Sequence, residues 1–243
     1  MDWTEEGIVL GARKHGESAI VLSLLTRGHG RHAGLVRGGA GRRSRALYEP
    51  GNRVRATWKA RLSEHLGNFS CELVASDAAR VLDDPARLAA LASACALSEA
   101  ALPEREPHPG AFDGLAALIQ ALPEAGFAAA YVRWELALLT ELGFGLDLGR
   151  CAATGTQAGL TFVSPRSGRA VSEAAAEPYR DRLLKLPRFL VADGEPAPDE
   201  VMAGLRLTGH FLNEHAFAAR PSGTPAARAR LVERLGRIGR ASG

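Results

Sequence analysis

The sequence has few cysteines and no long apolar run. Cys71, Cys95 and Cys151 are odd in number and widely separated, which argues against a disulfide framework and for a reducing compartment. No apolar run reaches the roughly 18 residues that cross a membrane. The acidic start, Met1–Glu6, lacks the basic region of a secretory signal. We therefore expect a cytoplasmic protein.

Motifs that build catalytic or cofactor sites are also missing. The chain contains no GxxxxGK[ST] phosphate loop, no HExxH and no GxSxG. His210 and His215 are five residues apart, roughly 140° around a helix, so they would not face one metal ion. We expect no enzymatic activity and no cofactor, unless a site is assembled from residues distant in sequence.

The charges are segregated along the chain. Residues 1–75 carry 12 Lys and Arg against 7 Asp and Glu, and residues 219–243 carry 6 against 1, whereas residues 76–218 carry 12 against 19. Only three of the basic residues are lysines, a bias that fits the composition of the chain and is not itself a sign of phosphate recognition. Two basic ends around an acidic middle predict a polyanion partner for the ends.

The N-terminal part has the pattern of β-strands. Five short strands are predicted, separated by glycine-containing turns, at residues 7–10, 19–26, 31–36, 54–62 and 69–74. The first two runs are aliphatic, the third is the hairpin partner of the second, and the last two show the alternation. Five short strands in about 75 residues predict a small barrel, because closure removes exposed sheet edges.

The spacing of apolar residues becomes helical after Ala78. Asp84 followed by Pro85 is typical of a helix start, and further helices are predicted at 111–122, 127–142, 173–184 and 199–218. The fold class is therefore α+β and multidomain. The predicted domains are a barrel at 1–77, a helical domain at 78–143 and 176–218, an irregular segment at 144–175, and a basic, partly disordered tail at 219–243 with a possible helix at 226–238.

Between residues 27 and 61, ten basic residues are opposed by Glu49 alone. We call them the basic run: Arg27, Arg31, Arg37, Arg42, Arg43, Arg45, Arg53, Arg55, Lys59 and Arg61. A one-signed surface of this kind suits a phosphate backbone, although a solvated face in an arginine-rich protein is the alternative. Arg37, Arg42, Arg43 and Arg45 lie in the predicted loop at 37–50, and we predict that they act as mobile phosphate clamps. We predict that Arg53, Arg55, Lys59 and Arg61, which share parity, form a fixed row.

Two aromatic residues lie within the basic run. Tyr48 is a candidate for stacking on a base, with core packing as the alternative. Trp58 has the opposite parity to Arg55 and Lys59, which favours a place in the core.

The order of segments resembles the RecO family of bacterial recombination mediators. The resemblance is carried by "GIVLGARKHGESAIVLSLLTRGHGRHAGLVRGGAGRRSR", then "LYEPGNRVRATWKARLSEHLGNFSCEL", and later "GFGLDLGRCAATG" with "FVSPRSGRAVS". It implies an N-terminal OB-fold, a helical middle and a small domain that holds zinc in many members. It also implies binding of single- and double-stranded DNA, annealing of complementary strands, and contacts with RecR and the tail of single-stranded DNA-binding protein. With RecR and, in some bacteria, RecF, such a protein loads RecA at single-stranded gaps.

The chain departs from the zinc-bearing members of that family. Those members have two cysteine pairs, whereas here Cys151 stands alone, Thr154 takes its partner's place and no cysteine follows. Tetrahedral zinc needs four such ligands. We therefore predict a remnant of the zinc domain at 144–175 that holds no metal.

The sequence thus predicts a non-catalytic DNA-binding and strand-annealing protein of recombinational repair, associated with the bacterial nucleoid. An RNA-binding factor built on an OB-fold and a protein-interaction scaffold are the alternatives. A scaffold that binds an acidic tail would need a basic pocket, which could use Arg133, Arg180, Arg182 and Arg206 if the fold brings them together. The basic tail is either a second DNA contact or disordered.

Overall fold

The computed structural model describes residues 1–192, 194 and 196–241, without the side chains of Arg42, Arg43, Pro198 and Ala241. Contacts between residues divide the chain into two units, Met1–Pro123 and Glu124–Gly243. This division differs from the predicted one, because the first two long helices group with the barrel and not with the later helices. No described helix combines the length and the apolar character needed to span a bilayer.

The first unit is built on a closed five-stranded barrel with strand order β1-β2-β3-β5-β4, the order of an OB-fold. The strands are β1 (Asp2–His15), β2 (Ala19–Thr26), β3 (Gly30–Val36), β4 (Arg53–Lys59) and β5 (Asn68–Ala75). Between β3 and β4 lie the short helix α1 (Arg42–Arg45) and a 3₁₀ turn (Ala46–Tyr48). The predicted small barrel is confirmed.

Alternating side chains explain why these segments close around a core. In β3 and β4, every second residue is buried, and the inward side chains of β4 are Val54, Ala56 and Trp58. They pack with apolar residues of the other strands, such as Leu22 and Phe69. Gly34 permits this packing, because a Cβ atom there would lie 2.5 Å from Cδ2 of Phe69.

The first strand is much longer than predicted. β1 pairs with β4 through residues 2–8 and with β2 through residues 7–15, with an irregularity between Val9 and Gly11. One strand that pairs on both sides and bends at a bulge is what closes a small barrel. The prediction stopped at Leu10 because the ends of this strand are charged and exposed, which weakens the apolar signal.

Two helices complete the first unit after a 3₁₀ turn at Asp77–Val81. These are α2 (Pro85–Ala101) and α3 (Pro109–Ala121). The predicted start of α2 is confirmed, since Oδ1 of Asp84 accepts hydrogen bonds from the backbone amides of Ala86 at 2.8 Å and Arg87 at 3.1 Å.

The second unit contains α4 (Phe127–Glu141), α5 (Glu173–Ala176), α6 (Pro198–Phe211) and α7 (Ala226–Ala241). A 3₁₀ helix (Glu177–Arg182) follows α5, another short turn covers Arg188–Leu190, and a π turn (Leu212–Ala216) follows α6. The helix predicted at 199–218 therefore ends earlier than expected, and the one predicted at 173–184 is an α-helical turn followed by a 3₁₀ segment.

The segment predicted to be irregular contains a small antiparallel sheet. Its strands are β6 (Leu160–Val163), β7 (Ala170–Ser172) and, beyond the segment, β8 (Leu184–Lys185), in the order β7-β6-β8. Cys151, Phe162, Val171 and Ala176 form a small core against this sheet. A few buried apolar side chains thus order a segment whose glycine content suggested a loop.

Candidate nucleic-acid interface

The outward face of β4 carries three members of the basic run. Arg53, Arg55 and Lys59 alternate with the buried residues of this strand, as their shared parity predicts. Arg61 lies beyond the end of β4 and is exposed in the following turn. The row of four predicted from sequence is therefore three residues on a strand and one in a turn.

Neighbouring strands add acidic residues to this face. Asp2 of β1 lies opposite Lys59, and Arg55 lies between Glu6 of β1 and Glu72 of β5. Nη2 of Arg55 is 3.3 Å from Oε1 of Glu6. Opposite charges at paired positions stabilise the sheet, so this face has mixed charge and is not the one-signed row that the sequence suggested.

Three other members of the basic run contact elements of the first unit that follow the barrel. Nε of Arg53 lies 2.8 Å from Oδ2 of the buried Asp77, and Nε of Arg31 donates to the carbonyl oxygen of Leu102 at 2.8 Å. Arg27 forms an ion pair with Asp113, with Nε and Oδ1 3.1 Å apart. The contacts of Arg31 and Arg53 join the barrel to the elements after it, so these two side chains are not free to bind phosphates. Arg27 and Asp113 are both more than half exposed, and an ion pair of that kind stabilises a fold little.

The remaining cations are free but lie at two ends of the barrel. Within the described part of the chain, Arg37, Arg45, Lys59 and Arg61 are exposed and have no carboxylate within 4.0 Å. Arg37 and Arg45 lie within the segment between β3 and β4, whereas Lys59 and Arg61 lie where β1 begins. The side chains of Arg42 and Arg43 are outside the described structure, although the backbone of α1 places both residues between Arg37 and Arg45.

The fold adds two cations that the sequence reasoning missed. Arg13 and Lys14 are exposed near the end of β1, and Lys14 pairs with Ile20, which in turn pairs with Val36. This register places Lys14 about two strand spacings, roughly 10 Å, from Val36, the residue before Arg37. We call this end, with residues 13–18 and 37–45, the loop end of the barrel. Arg13 and Lys14 could be assigned to this end only with β1 predicted at its full length.

The loop end contains a cleft of ≈ 390 Å³. The cleft is lined by Ile20, Tyr48 and Pro50 and by the cationic side chains of Lys14 and Arg45. Glu17 and Glu49 also line it. A cleft with apolar walls, cations and carboxylates can accept a base with its phosphate, because the cations suit the phosphate and the carboxylates can accept hydrogen bonds from exocyclic amino groups.

The structure corrects the expectation for Tyr48. The residue is 7 % exposed and belongs to the barrel core, because the 3₁₀ turn after α1 points its ring inward. Burial raises the pKa of its phenol to about 12. The ring therefore closes the bottom of the cleft and is not placed to stack between bases. Trp58 is also a core residue, as its parity favoured, and its indole Nε1 donates to the carbonyl oxygen of Leu66 at 3.0 Å.

Cys151, in the segment predicted to be a remnant of a zinc domain, is a hydrogen-bonded thiol. Sγ of Cys151 accepts hydrogen bonds from the backbone amide of Ser172 at 3.3 Å and from its hydroxyl at 3.4 Å. Burial raises the pKa of Cys151, but hydrogen bonds from Ser172 and Thr154 outweigh it and lower the pKa to about 6. One thiol and two hydroxyl groups do not fit a tetrahedral zinc site, and the described residues contain no cluster of three or more metal-ligating side chains.

Two of the four arginines considered for an acidic partner meet in the second unit. Arg180 and Arg206 line one cleft of ≈ 360 Å³ with Lys185, alongside Glu173, Asp199 and Glu200. Arg180 is already paired with Glu173 and Glu177. Arg133 instead donates to the carbonyl oxygen of Phe189 at 3.0 Å, and Arg182 is exposed in the 3₁₀ helix after α5.

Comparison with known proteins identifies the family. The family model "Recombination protein O N terminal" matches residues 1–76, and "Recombination protein O C terminal" matches residues 82–223. The chain is 58% identical to a DNA repair protein RecO from Rhodospirillum centenum over 245 residues, which cover 100% of this chain and 98% of that protein. It is 53% identical to one from Rhodospirillum rubrum (98% and 97% covered) and 52% identical to one from Methylobacterium nodulans (96% and 97% covered). The barrel, the helical part and these full-length relatives agree, and the chain belongs to the RecO family of DNA repair and recombination proteins.

Proposed function

We propose that this protein binds DNA without catalysing a reaction and anneals complementary strands during recombinational repair. The observation that carries the proposal is the collection of exposed, unpaired cations at the loop end of the OB-fold barrel: Arg13, Lys14, Arg37 and Arg45. Arg42 and Arg43 belong to the same segment of the chain. Such a surface neutralises phosphates, and the release of their counterions supplies affinity without regard to sequence.

Annealing follows from the same electrostatics. Two complementary strands repel each other through their phosphates, and a basic surface that neutralises both permits base pairing to proceed. No covalent bond is made or broken, so no catalytic group is needed. We further propose that the protein acts with RecR and, in some bacteria, RecF to load RecA at single-stranded gaps in the cytoplasm and on the nucleoid, and that it binds both single- and double-stranded DNA.

A salt titration with two matched variants tests the location of the interface. Arg37→Glu/Arg45→Glu changes the loop end, and Lys59→Glu/Arg61→Glu makes the same change in charge at the other end of β1, where Asp2 pairs with Lys59. The slope of log K against log salt for single-stranded DNA should fall by about 1.4 in the first variant, since each lost phosphate contact removes about 0.7. The second variant should keep a slope close to that of the wild type.

The outcomes separate three explanations. An equal decrease of the salt slope in both variants would show that only the net charge of the protein matters. A larger decrease in the Lys59/Arg61 variant would show that the interface lies at the other end of β1. An unchanged slope in both would contradict a role for these described cations. Adding Arg42→Glu and Arg43→Glu to the first variant then measures the contribution of α1.

Competition between DNA and RNA strands of one sequence tests the principal alternative. An RNA-binding factor would prefer RNA through its 2′-hydroxyl groups. We expect DNA to compete at least as well, because the cations at the loop end recognise phosphates, which both polymers share. A strong preference for RNA would contradict the repair proposal.

The cleft with Lys185 and Arg206 is our proposed contact for the acidic tail of single-stranded DNA-binding protein. Both cations are exposed and have no carboxylate within 4.0 Å among the described residues. Lys185→Glu/Arg206→Glu should weaken binding of a fluorescent tail peptide at least tenfold. Unchanged peptide binding would exclude this cleft.

A further inference from the structure

We propose that α7 is a second nucleic-acid contact, which binds the phosphate backbone of a strand other than the one at the barrel. The exposed arginines of this helix, Arg230, Arg234, Arg237 and Arg240, form what we call the α7 arginine face. The inference rests on the proposed function in one respect: a protein that anneals must hold two strands. The helix begins after residue 223, where the match to the C-terminal family model ends.

Buried residues fix which side of α7 faces outward. Leu231 is 0 % exposed and Leu235 is 9 % exposed, and both lie on the same side of the helix as the buried Arg228. At about 100° per residue, Arg230 and Arg237 point away from this buried side, and Arg234 lies at about a right angle to it. The helix is therefore anchored by one face and presents arginines on the other, although the sequence suggested a partly disordered tail.

Internal ion pairs do not neutralise the α7 arginine face. Glu233 is the one acidic residue after position 218, and it pairs with Arg237 one turn away. Within the described part of the chain, Arg230, Arg234 and Arg240 have no carboxylate within 4.0 Å. Surface helices usually mix both signs, so three unpaired cations on one face are an unusual arrangement.

Helix stability does not account for this charge pattern either. Cations are favourable near the C-terminus of a helix, which fits Arg237 and Arg240. The first turn of α7, however, contains no acidic residue. Arg230 lies beyond that first turn, where the helix dipole neither favours nor disfavours a cation. Helix stability therefore gives no reason for an arginine at position 230.

The dimensions of the face suit a phosphate chain. Ten residues separate Arg230 from Arg240, a rise of roughly 15 Å along the helix. Phosphates of one strand in a duplex are about 3.4 Å apart along the axis, so the face covers about four of them. A line of guanidinium groups without aromatic side chains between them binds backbone and reads no sequence.

A strand-capture experiment with the full chain tests the proposal. A biotinylated single strand is immobilised, protein is bound, and capture of a fluorescent, non-complementary single strand is measured. Arg230→Glu/Arg234→Glu should reduce this capture about tenfold and lower the salt slope of capture by about 1.4. Arg150→Glu/Arg166→Glu changes two exposed arginines of the same unit by the same charge and should capture as the wild type does.

Each outcome decides the proposal. If the α7 variant captures the second strand as the wild type does, while keeping the same melting temperature, the proposal is overturned. The same holds if the wild type binds the immobilised strand but captures none, a result that leaves the barrel proposal intact. If the wild type binds no strand at moderate salt, both proposals fail. Binding of polyglutamate, a model for an acidic protein, is measured in parallel. If Arg230→Glu/Arg234→Glu abolishes that binding but leaves capture of the second DNA strand unchanged, the α7 arginine face binds an acidic protein and the proposal is wrong.

Discussion

The buried ion pair between Arg228 and Glu135 anchors α7 to the second unit, and removing one partner tests that anchor. Glu135 of α4 is 0 % exposed, and its two carboxylate oxygens accept hydrogen bonds from Nε and Nη2 of Arg228 at 2.7 and 2.9 Å. Nη2 also donates to the carbonyl oxygen of Leu205 at 2.7 Å, and the hydroxyl of Thr208 donates to Glu135. Three helices, α4, α6 and α7, therefore meet at one charged pair.

We predict that Arg228→Leu lowers the free energy of opening α7 by about 3–5 kcal/mol. The variant leaves the Glu135 carboxylate buried without its cation, and this uncompensated charge dominates the cost. Replacing both residues, as Glu135→Leu/Arg228→Leu, should restore much of the lost stability. The two leucines fill the buried space and leave no unpaired charge in it. Arg230→Leu on the exposed face should change the stability by less than about 0.5 kcal/mol.

Hydrogen exchange of the α7 amides measures the opening free energy directly, because it reports local as well as global unfolding. A loss below about 1 kcal/mol for Arg228→Leu, or a double variant as unstable as the sum of the two single ones, would refute the reasoning. Gly209→Ala gives an independent check of the geometry. Its added Cβ atom would lie 2.7 Å from Nη1 of Arg228, so it should also weaken protection of α7.

Three further predictions concern the first unit. His32 is buried with both ring nitrogens unpartnered, and desolvation, helped by Arg105 and His29, lowers its pKa to about 4. Unfolded histidine has a pKa of about 6.5, so the free energy of unfolding should fall by at most about 3 kcal/mol as the pH drops from 7 to 4, and His32→Leu should flatten that dependence in urea titrations. Asp84→Ala should cost about 1 kcal/mol in the same assay, because two amides of α2 lose their acceptor. Tyr48→Leu should leave single-stranded DNA affinity within about twofold, whereas loss of a stacking residue would cost about 1–3 kcal/mol of binding free energy.

Local patterns were sufficient to predict the elements of the barrel. In β4, the buried Val54, Ala56 and Trp58 alternate with charged or polar residues, so a period of two is visible in the sequence. The start of α2 was equally local, since Asp84 and Pro85 act on their own helix. β6 and β7 were missed because they are three or four residues long and depend on a few contacts around Phe162 for their order.

Side-chain pairing across the fold could not be predicted. Arg53 and Arg31 count as free cations in a sequence, yet Asp77 and the carbonyl oxygen of Leu102 bind them. These partners lie 24 and 71 residues away from the arginines that they bind. Charge counts along a chain therefore overstate a binding surface whenever neighbouring strands supply the opposite sign.

Pairing with neighbouring strands also explains why the candidate interface lies at the loop end and not on β4. Arg55 and Lys59 lie on a strand that has neighbours on both sides, and Glu6, Glu72 and Asp2 come with those neighbours. Residues 37–45 leave the sheet, and the two cations among them whose side chains are described, Arg37 and Arg45, have no carboxylate within 4.0 Å. The strand β1 brings Arg13 and Lys14 towards them. Cations of a closed barrel stay available to phosphates mainly where the chain leaves the strands. On this argument, charge reversal at the loop end must weaken DNA binding more than the same reversal on β4, and a face of β4 that mattered equally would contradict it.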